Sequence, residues 1–373
     1  MNSDERRELR YQRRKAKRKA KEKEFTDELG DFDTVFAYEN LYDSFSLCKQ
    51  GVRWKASIQS YEANLSINTY EIWEKLITGT WKSKGFTKFY LSERGKIRQI
   101  QSVHISERCI QRTLCDHYLV PLLQRSLIND NGASIKGKGT RFAIERMKKH
   151  LTDHYRKYGN EGYILLYDFT NYFGSIPHET LYRMVDPKIP DDRIRALYHQ
   201  LIDAFDEGLG LGSQVSQISA VYYANRIDHV FKDRLGINGY ARFMDDGYII
   251  SDSLEELKMC EQVLYEECAK LGIIINPKKI RICKLSHGFK FLKKKVKLTD
   301  SGAVIIRLTK NSFKATRRRL KRMKDKNLPY EDIRQSYNSW RGNCKEYKAH
   351  RSVANMDRYF NKTFFEPFME GRT

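Results

Sequence analysis

The spacing of apolar positions changes several times along the chain, and each change marks an element. Phe86 to Ile100 alternates in the manner of two strands around a Glu93-Arg94-Gly95 turn. Ser106 to Leu123 places Ile110, Leu114, Tyr118 and Leu122 at helical spacing. A Gly/Lys loop, Gly132 to Gly139, precedes a second helix over Arg141–Leu151. The run Tyr163-Ile-Leu-Leu-Tyr167 is short, apolar and bounded by Gly162 and Asp168, which fits a buried strand. Ser216–Arg234 has the spacing of a helix. Tyr240 to Asp252 reads as a hairpin: Tyr-Ala-Arg-Phe, a Met-Asp-Asp-Gly turn, then Tyr-Ile-Ile-Ser. An amphipathic helix over Leu254–Leu271 and a strand at Ile273–Ile275 follow. From Asn311 the chain is helical and basic, with Phe313, Leu320 and Met323 on one side. Helices and strands interleave, which predicts an α+β fold with helices on one face of a sheet.

Composition adds a core and a partner class. Of 373 residues, 40% are hydrophobic and 12% aromatic, enough to pack two or three subdomains and too much for a disordered body. The net charge is +22. A field that large and of one sign fits a polyanionic partner, with nucleic acid ahead of an acidic membrane. Eleven Lys or Arg against two Glu lie between Arg6 and Lys23, so about +9 resides there and the body is basic as well. Ala16 and Ala20 favour helix in that block, and no apolar stripe runs along it. It reads either as an RNA-contacting segment or as a solubilising tail.

The seven cysteines form no CxxC pair and read as reduced interior thiols. The charged N-terminus has no signal-peptide core, and no apolar run approaches the ~20 residues that span a bilayer. The expectation is a cytoplasmic protein with no membrane partner.

Three carboxylates carry the candidate chemistry. Asp168 ends a buried strand, and Asp245 and Asp246 occupy a tight turn between apolar strands. Aspartate is common in turns, so an Asp-Asp pair alone is ordinarily structural. Adjacent acids repel unless a cation lies between them, and pairing the two strands would bring Asp168 against the turn. Oxygen donors in that arrangement suit Mg²⁺ and not zinc. Two such ions clamp an attacking hydroxyl and a leaving pyrophosphate.

These residues resemble motifs of the reverse transcriptases. Phe243-Met-Asp-Asp246 is similar to their YMDD-like motif, with Phe in place of Tyr. Asp168-Phe-Thr-Asn-Tyr-Phe-Gly-Ser-Ile-Pro-His178 resembles the first palm motif, whose aromatic five residues after the Asp is Phe173 here. Lys96-Ile-Arg98 resembles the fingers hairpin, and Arg108 to Arg112 the next fingers motif. Asn276-Pro-Lys-Lys279 resembles the motif whose lysine assists pyrophosphate departure; Lys279 matches best, with Lys278 as the alternative. Gly288-Phe-Lys-Phe-Leu292 resembles the primer grip.

The resemblance implies a right-hand polymerase fold: a basic extension over 1–30, fingers over 31–158, palm over 159–300 and thumb over 301–373. It implies an RNA-directed DNA polymerase with catalytic Asp168, Asp245, Asp246 and Lys279. Its metal site comprises Asp168, Phe169, Asp245 and Asp246, with two Mg²⁺ ions and Mn²⁺ as a substitute. Nucleotide contacts fall to Lys96, Arg98, Phe173, Leu211, Gly212 and Gln217, with Phe173 rejecting a 2′ hydroxyl. The primer would rest on Gly288, Phe289, Phe291 and Leu292.

One departure narrows the subfamily. Most members carry Pro-Gln-Gly before the palm helix, whereas this chain has Leu211-Gly-Ser-Gln-Val-Ser-Gln217. That pattern resembles the prokaryotic reverse transcriptases of diversity-generating retroelements, which copy a template RNA with errors opposite adenine; defence-associated relatives also depart here. An aliphatic side chain cannot hydrogen-bond the base pair, which weakens selection. The implied partners are a structured noncoding template RNA, a primer and cDNA product, dNTPs and a small basic accessory protein. An RNA-binding protein that has lost catalysis would carry a damaged carboxylate cluster, and all three acids are present.

Overall fold

The computed structural model describes residues 3–93, 96–345, 347 and 349–370. Nine strands run along it: β1 (Phe86–Glu93), β2 (Lys96–Val103), β3 (Tyr163–Asp168), β4 (Tyr240–Phe243), β5 (Asp246–Ser251), β6 (Arg281–Lys284), β7 (Phe289–Phe291), β8 (Lys294–Leu298) and β9 (Val304–Leu308). The chain weaves between two compact units. The first comprises Met1–Gly139, Phe169–Gly236 and Leu264–Ile275; the second comprises Thr140–Asp168, Ile237–Val263 and Asn276–Thr373.

The first unit is mainly helical. The helix Tyr38–Cys48 packs on Ile105–Leu114, with the Ser44 and Thr113 hydroxyls 2.8 Å apart between them. Phe36, Phe45, Ile110, Leu114, Tyr118 and Tyr198 are fully buried there. The predicted helix over Ser106–Leu123 forms with a wide π turn at Cys115–Leu119. Pro121, which has no N–H to donate, lies just beyond that change of winding. β1 and β2 pair antiparallel, joining Phe86 to Val103 and Glu93 to Lys96. The expected helix over Ser216–Arg234 starts earlier, at Gln214. It breaks at Ala224 and resumes over Asn225–His229 and a π turn at Val230–Arg234.

The second unit is built on an antiparallel sheet of order β4-β5-β3-β6. Ile164 and Leu166 of β3 share a core with Tyr248 and Ile250 of β5 and with Ile144, Met147 and Leu151 of the helix Thr140–Tyr158. Phe289, Phe291, Val296 and Leu298, from the second sheet β7-β8-β9, join the same cluster. Leu165 and Tyr167 are buried too, so β3 is apolar on both faces and reads as a continuous run. The C-terminal helices Lys310–Asp325, Tyr330–Lys345 and His350–Phe360 enclose a separate cluster of Leu320, Ile333, Tyr337, Trp340, Met356 and Phe360.

One expectation fails. Ile273–Ile275 forms no strand: Ile275 makes a single bridge to Phe169, and Ile274 O accepts from Thr170 N at 2.7 Å. Pro277 lies two residues further on and offers no N–H to extend the ladder. All seven cysteines are free thiols. Among the described residues no helix is long and apolar enough to cross a membrane.

Candidate active site

The site begins with strand register. β3 pairs with β5 so that Asp168 lies directly across from Asp246. β4 pairs with β5 through Phe243 and Asp246, leaving Met244 and Asp245 as a two-residue loop. Met244 is at φ +59° and Asp245 is not at positive φ, the sign pattern of a type II′ hairpin turn, a place that favours glycine. The Arg242 guanidinium, 1% exposed, donates to Met244 O at 2.9 Å and helps hold that turn.

Asp168 and Asp246 are thereby set opposite one another with Asp245 next in the turn; Asp168 is buried, whereas Asp245 and Asp246 are half-buried. Asp168 is 5% exposed. The Asp246 carboxyl is pushed up to about 7, first by burial, then by the charges of Asp245 and Asp168, with a hydrogen bond to Asp168 adding to it. The Lys279 ammonium works in the opposite direction and forms an ion pair with Asp168 Oδ2. Lys279 is brought there by Asn276. Asn276 N donates to Asp168 O at 2.8 Å, and its amide Nδ2 reaches Asp168 Oδ1 at 3.5 Å. Asn276 Oδ1 accepts from Lys278 N at 3.1 Å, and Asn276 O from Lys279 N at 3.0 Å, which curls the segment back toward Asp168. Of the two candidate lysines, Lys279 is therefore the one whose ammonium meets the carboxylate.

Among the described residues, no three His, Cys, Asp or Glu side chains converge on one point to enclose an ion. The donor chemistry still fits a hard divalent cation, because the side-chain donors of Asp168, Asp245 and Asp246 are all carboxylate oxygens. A raised Asp246 acid is also what a cluster short of positive charge produces.

Two supporting residues were not singled out from the sequence. Gly247 lies across from Tyr167, and a Cβ there would overlap the Tyr167 ring. Tyr167 Oη lies 3.0 Å from Tyr240 Oη beneath the hairpin. A glycine directly after Asp-Asp, inside a strand, was the available signal. Tyr248 is the second: its hydroxyl lies 2.9 Å from His150 Nδ1, and its ring meets Phe291 edge-on at 5.1 Å. Phe291 and Phe289 are buried core residues, whereas Gly288, at φ +71°, lets the chain pass 2.8 Å from Val296 O where a Cβ would stand. Leu292 and Lys293 form the β7–β8 loop, both at positive φ.

The first unit gathers another set. Phe173, half-buried, accepts from Leu209 N at 2.7 Å through its backbone oxygen. Gly208 is pressed against the Gly174 backbone, where no Cβ fits. Leu211 O accepts from Gln101 N of β2 at 3.2 Å, and Gly212, at φ +114°, has room for a Cβ only 3.0 Å from Gln101 O. Ser213 then caps the helix Gln214–Tyr223, on which Gln217 is exposed. Phe169 is buried, its ring 5.2 Å from Tyr172. Lys96 and Arg98 lie in β2, but their side chains, like residues Arg94 and Gly95, lie outside the described residues.

Residues 82–296, more than half of the chain, match the family model of the reverse transcriptases (RNA-dependent DNA polymerases). The chain belongs to the reverse transcriptase family, whose members are nucleotidyltransferases. No curated protein matches it. Among solved structures, it resembles telomerase from Candida albicans in complex with the TWJ fragment of telomeric RNA. That likeness has 10% identity, a TM-score of 0.52 and coverage of 80% of this chain and 60% of that one. Apo telomerase from Candida tropicalis matches at 14% identity and a TM-score of 0.48, over 63% of this chain and 52% of that one. The chain thus spans less than two thirds of the solved structures it matches. The fold is the α+β right-hand polymerase fold.

Proposed function

We propose that the protein is an RNA-directed DNA polymerase that adds dNTPs to a primer on a dedicated structured noncoding RNA. The observation that carries this reading is the placement of Asp168 across from Asp246, with Asp245 one residue away and Lys279 on Asp168. The three carboxylates would hold two divalent cations, Mg²⁺ or Mn²⁺, and these supply positive charge where the 3′ hydroxyl attacks and pyrophosphate leaves. Lys279 offsets charge or gives a proton on the leaving side. Phe173 screens the sugar, Lys96 and Arg98 take the triphosphate, and Gly288 to Leu292 support the primer end. In this reading fingers, palm and thumb follow one another over 31–158, 159–300 and 301–373, after the extension 1–30.

Asp245→Ala should lower dNTP incorporation by about 10³-fold or more while leaving RNA binding near normal. Normal extension by that variant sinks the assignment. Phe173→Val should raise ribonucleotide incorporation by about tenfold or more, read in competition with dNTPs. Unchanged sugar selection removes Phe173 from that role.

Leu211 favours the diversity-generating type, with a small basic accessory protein as further partner, because an aliphatic residue there cannot test the base pair by hydrogen bonding. Sequencing the RNA and DNA that copurify with the protein from its native locus separates the readings. Complementary DNA substituted at adenines supports this type. Faithful or repetitive DNA from one noncoding RNA supports a defence system, and no DNA with dNTPs and Mg²⁺ supplied supports a binding protein without catalysis.

A further inference from the structure

The N-terminal basic block is a single helix, Ser3–Glu28, about 39 Å long at 1.5 Å per residue. Every residue from Glu5 to Glu24 is exposed. At 100° per residue its cations are not spread evenly. Arg6, Arg10, Arg14 and Arg18 form one column at four-residue steps, and Arg13, Lys17 and Lys21 form a second beside it. Between Arg6 and Lys21 no acid falls on this face, and Glu8 lies on the opposite side. Like charges four apart on a helix repel, so the folded helix carries a repulsion that an external polyanion relieves.

The C-terminal end of the helix is anchored. Thr26 is buried, the Arg125 guanidinium lies 4.0 Å over the Phe25 ring, and Glu22 pairs with Lys188 at 3.1 Å. The cationic columns stand in solvent.

We infer that this helix is an RNA-duplex arm, whose two columns lie along the phosphates of a double-stranded segment. The inference deepens the proposed function, since it assumes that the template RNA is structured. Single-stranded RNA is held on aromatic platforms, and between Arg6 and Lys23 Tyr11 is the only aromatic. Insertion into a membrane surface needs a broad apolar face of large side chains, and here the apolar residues outside the cationic face are Leu9, Tyr11, Ala16 and Ala20, which share that side with Lys15, Lys19 and Lys23. Phosphate contacts of this kind position an RNA without reading its sequence.

The test uses the full chain and a blunt RNA duplex longer than the helix, which offers no recessed primer end to a polymerase site. Replacing Arg10, Arg14, Lys17, Arg18 and Lys21 by Gln should weaken binding at least tenfold near 0.1 M salt. The slope of log affinity against log salt should fall by up to about 4. Arg10→Lys, Arg14→Lys and Arg18→Lys together should keep both quantities, since charge is retained. Unchanged affinity and slope in the Gln variant overturn the arm. So does loss of binding to phosphatidylserine-containing vesicles with duplex binding intact, which would make the helix a membrane contact. Asp245→Ala should bind the duplex as the unaltered chain does, so failure of the polymerase reading leaves this result independent.

Discussion

Two regions of this protein hold like charges together, and they do so in opposite surroundings. On the N-terminal helix Ser3–Glu28, arginines and lysines stand in columns in open water. At the β3–β5 pairing, buried Asp168 lies opposite half-buried Asp246, with Asp245 next in the turn. In water, high dielectric and salt keep each repulsion to a few tenths of a kcal/mol, and the cations stay charged. Where burial limits solvation, the same repulsion joins a desolvation cost, and the Asp246 carboxyl is pushed up to about 7. The helix therefore advertises its charge over distance, whereas Asp246 is biased toward keeping its proton. The proposed polyanion-binding surface and the proposed metal site would need those two behaviours.

The comparison can be broken at the buried end first. Gly247→Ala should destabilise the fold by about 1–3 kcal/mol, since the new methyl group meets the Tyr167 ring. If β3 and β5 separate to admit it, the Asp246 midpoint should fall toward the ordinary carboxylate range, which NMR titration reads. An unchanged melting temperature would show that the strands are not closely held there.

Asp246→Asn sharpens it next. The folded pKa of about 7 lies above the ordinary 3.8, so ionising Asp246 disfavours the folded state. That penalty develops as pH rises from about 4 to 7 and is fully present above 7. In chelator at pH 8 the Asn variant should be more stable by about 1–2 kcal/mol, the gain shrinking toward pH 5 and responding little to salt. Denaturant melts at the two pH values decide it, and a gain equal at both contradicts the assignment of the proton. The smallest effect belongs to the helix. Arg14→Gln should stabilise it by about 0.2–0.5 kcal/mol at low salt. Circular dichroism should find the gain gone in ~1 M salt, where the screening length is about 3 Å.

Much of the fold was open to inspection in the chain itself. The apolar run before Asp168, the alternation around Met244 and Asp245, and the helical spacing over Leu254–Leu271 each set a local period, and the elements followed it. Ala16 and Ala20 favoured helix in the basic block without excluding a tail that orders on a polyanion, and the block is a helix. Where local signals misled, a neighbour in the chain was responsible. Three consecutive isoleucines at 273–275 look like a strand, yet Pro277 and the turn at Asn276 confine them to one bridge.

The sequence by itself determined the identity of the acids, their position at strand ends and the cationic face of the helix, because these depend on spacing along one segment. Tertiary structure alone decided that Asp168 lies opposite Asp246 and that Lys279, not Lys278, meets Asp168. It alone decided that Leu211 and Gly212 run beside Gln101 of β2. A one-residue slip of β3 against β5 would leave every local pattern intact and move the carboxylates apart. Register is chosen by the sum of contacts between residues remote in sequence, such as Tyr167 over Gly247 and His150 on Tyr248. No single segment of the chain contains that sum.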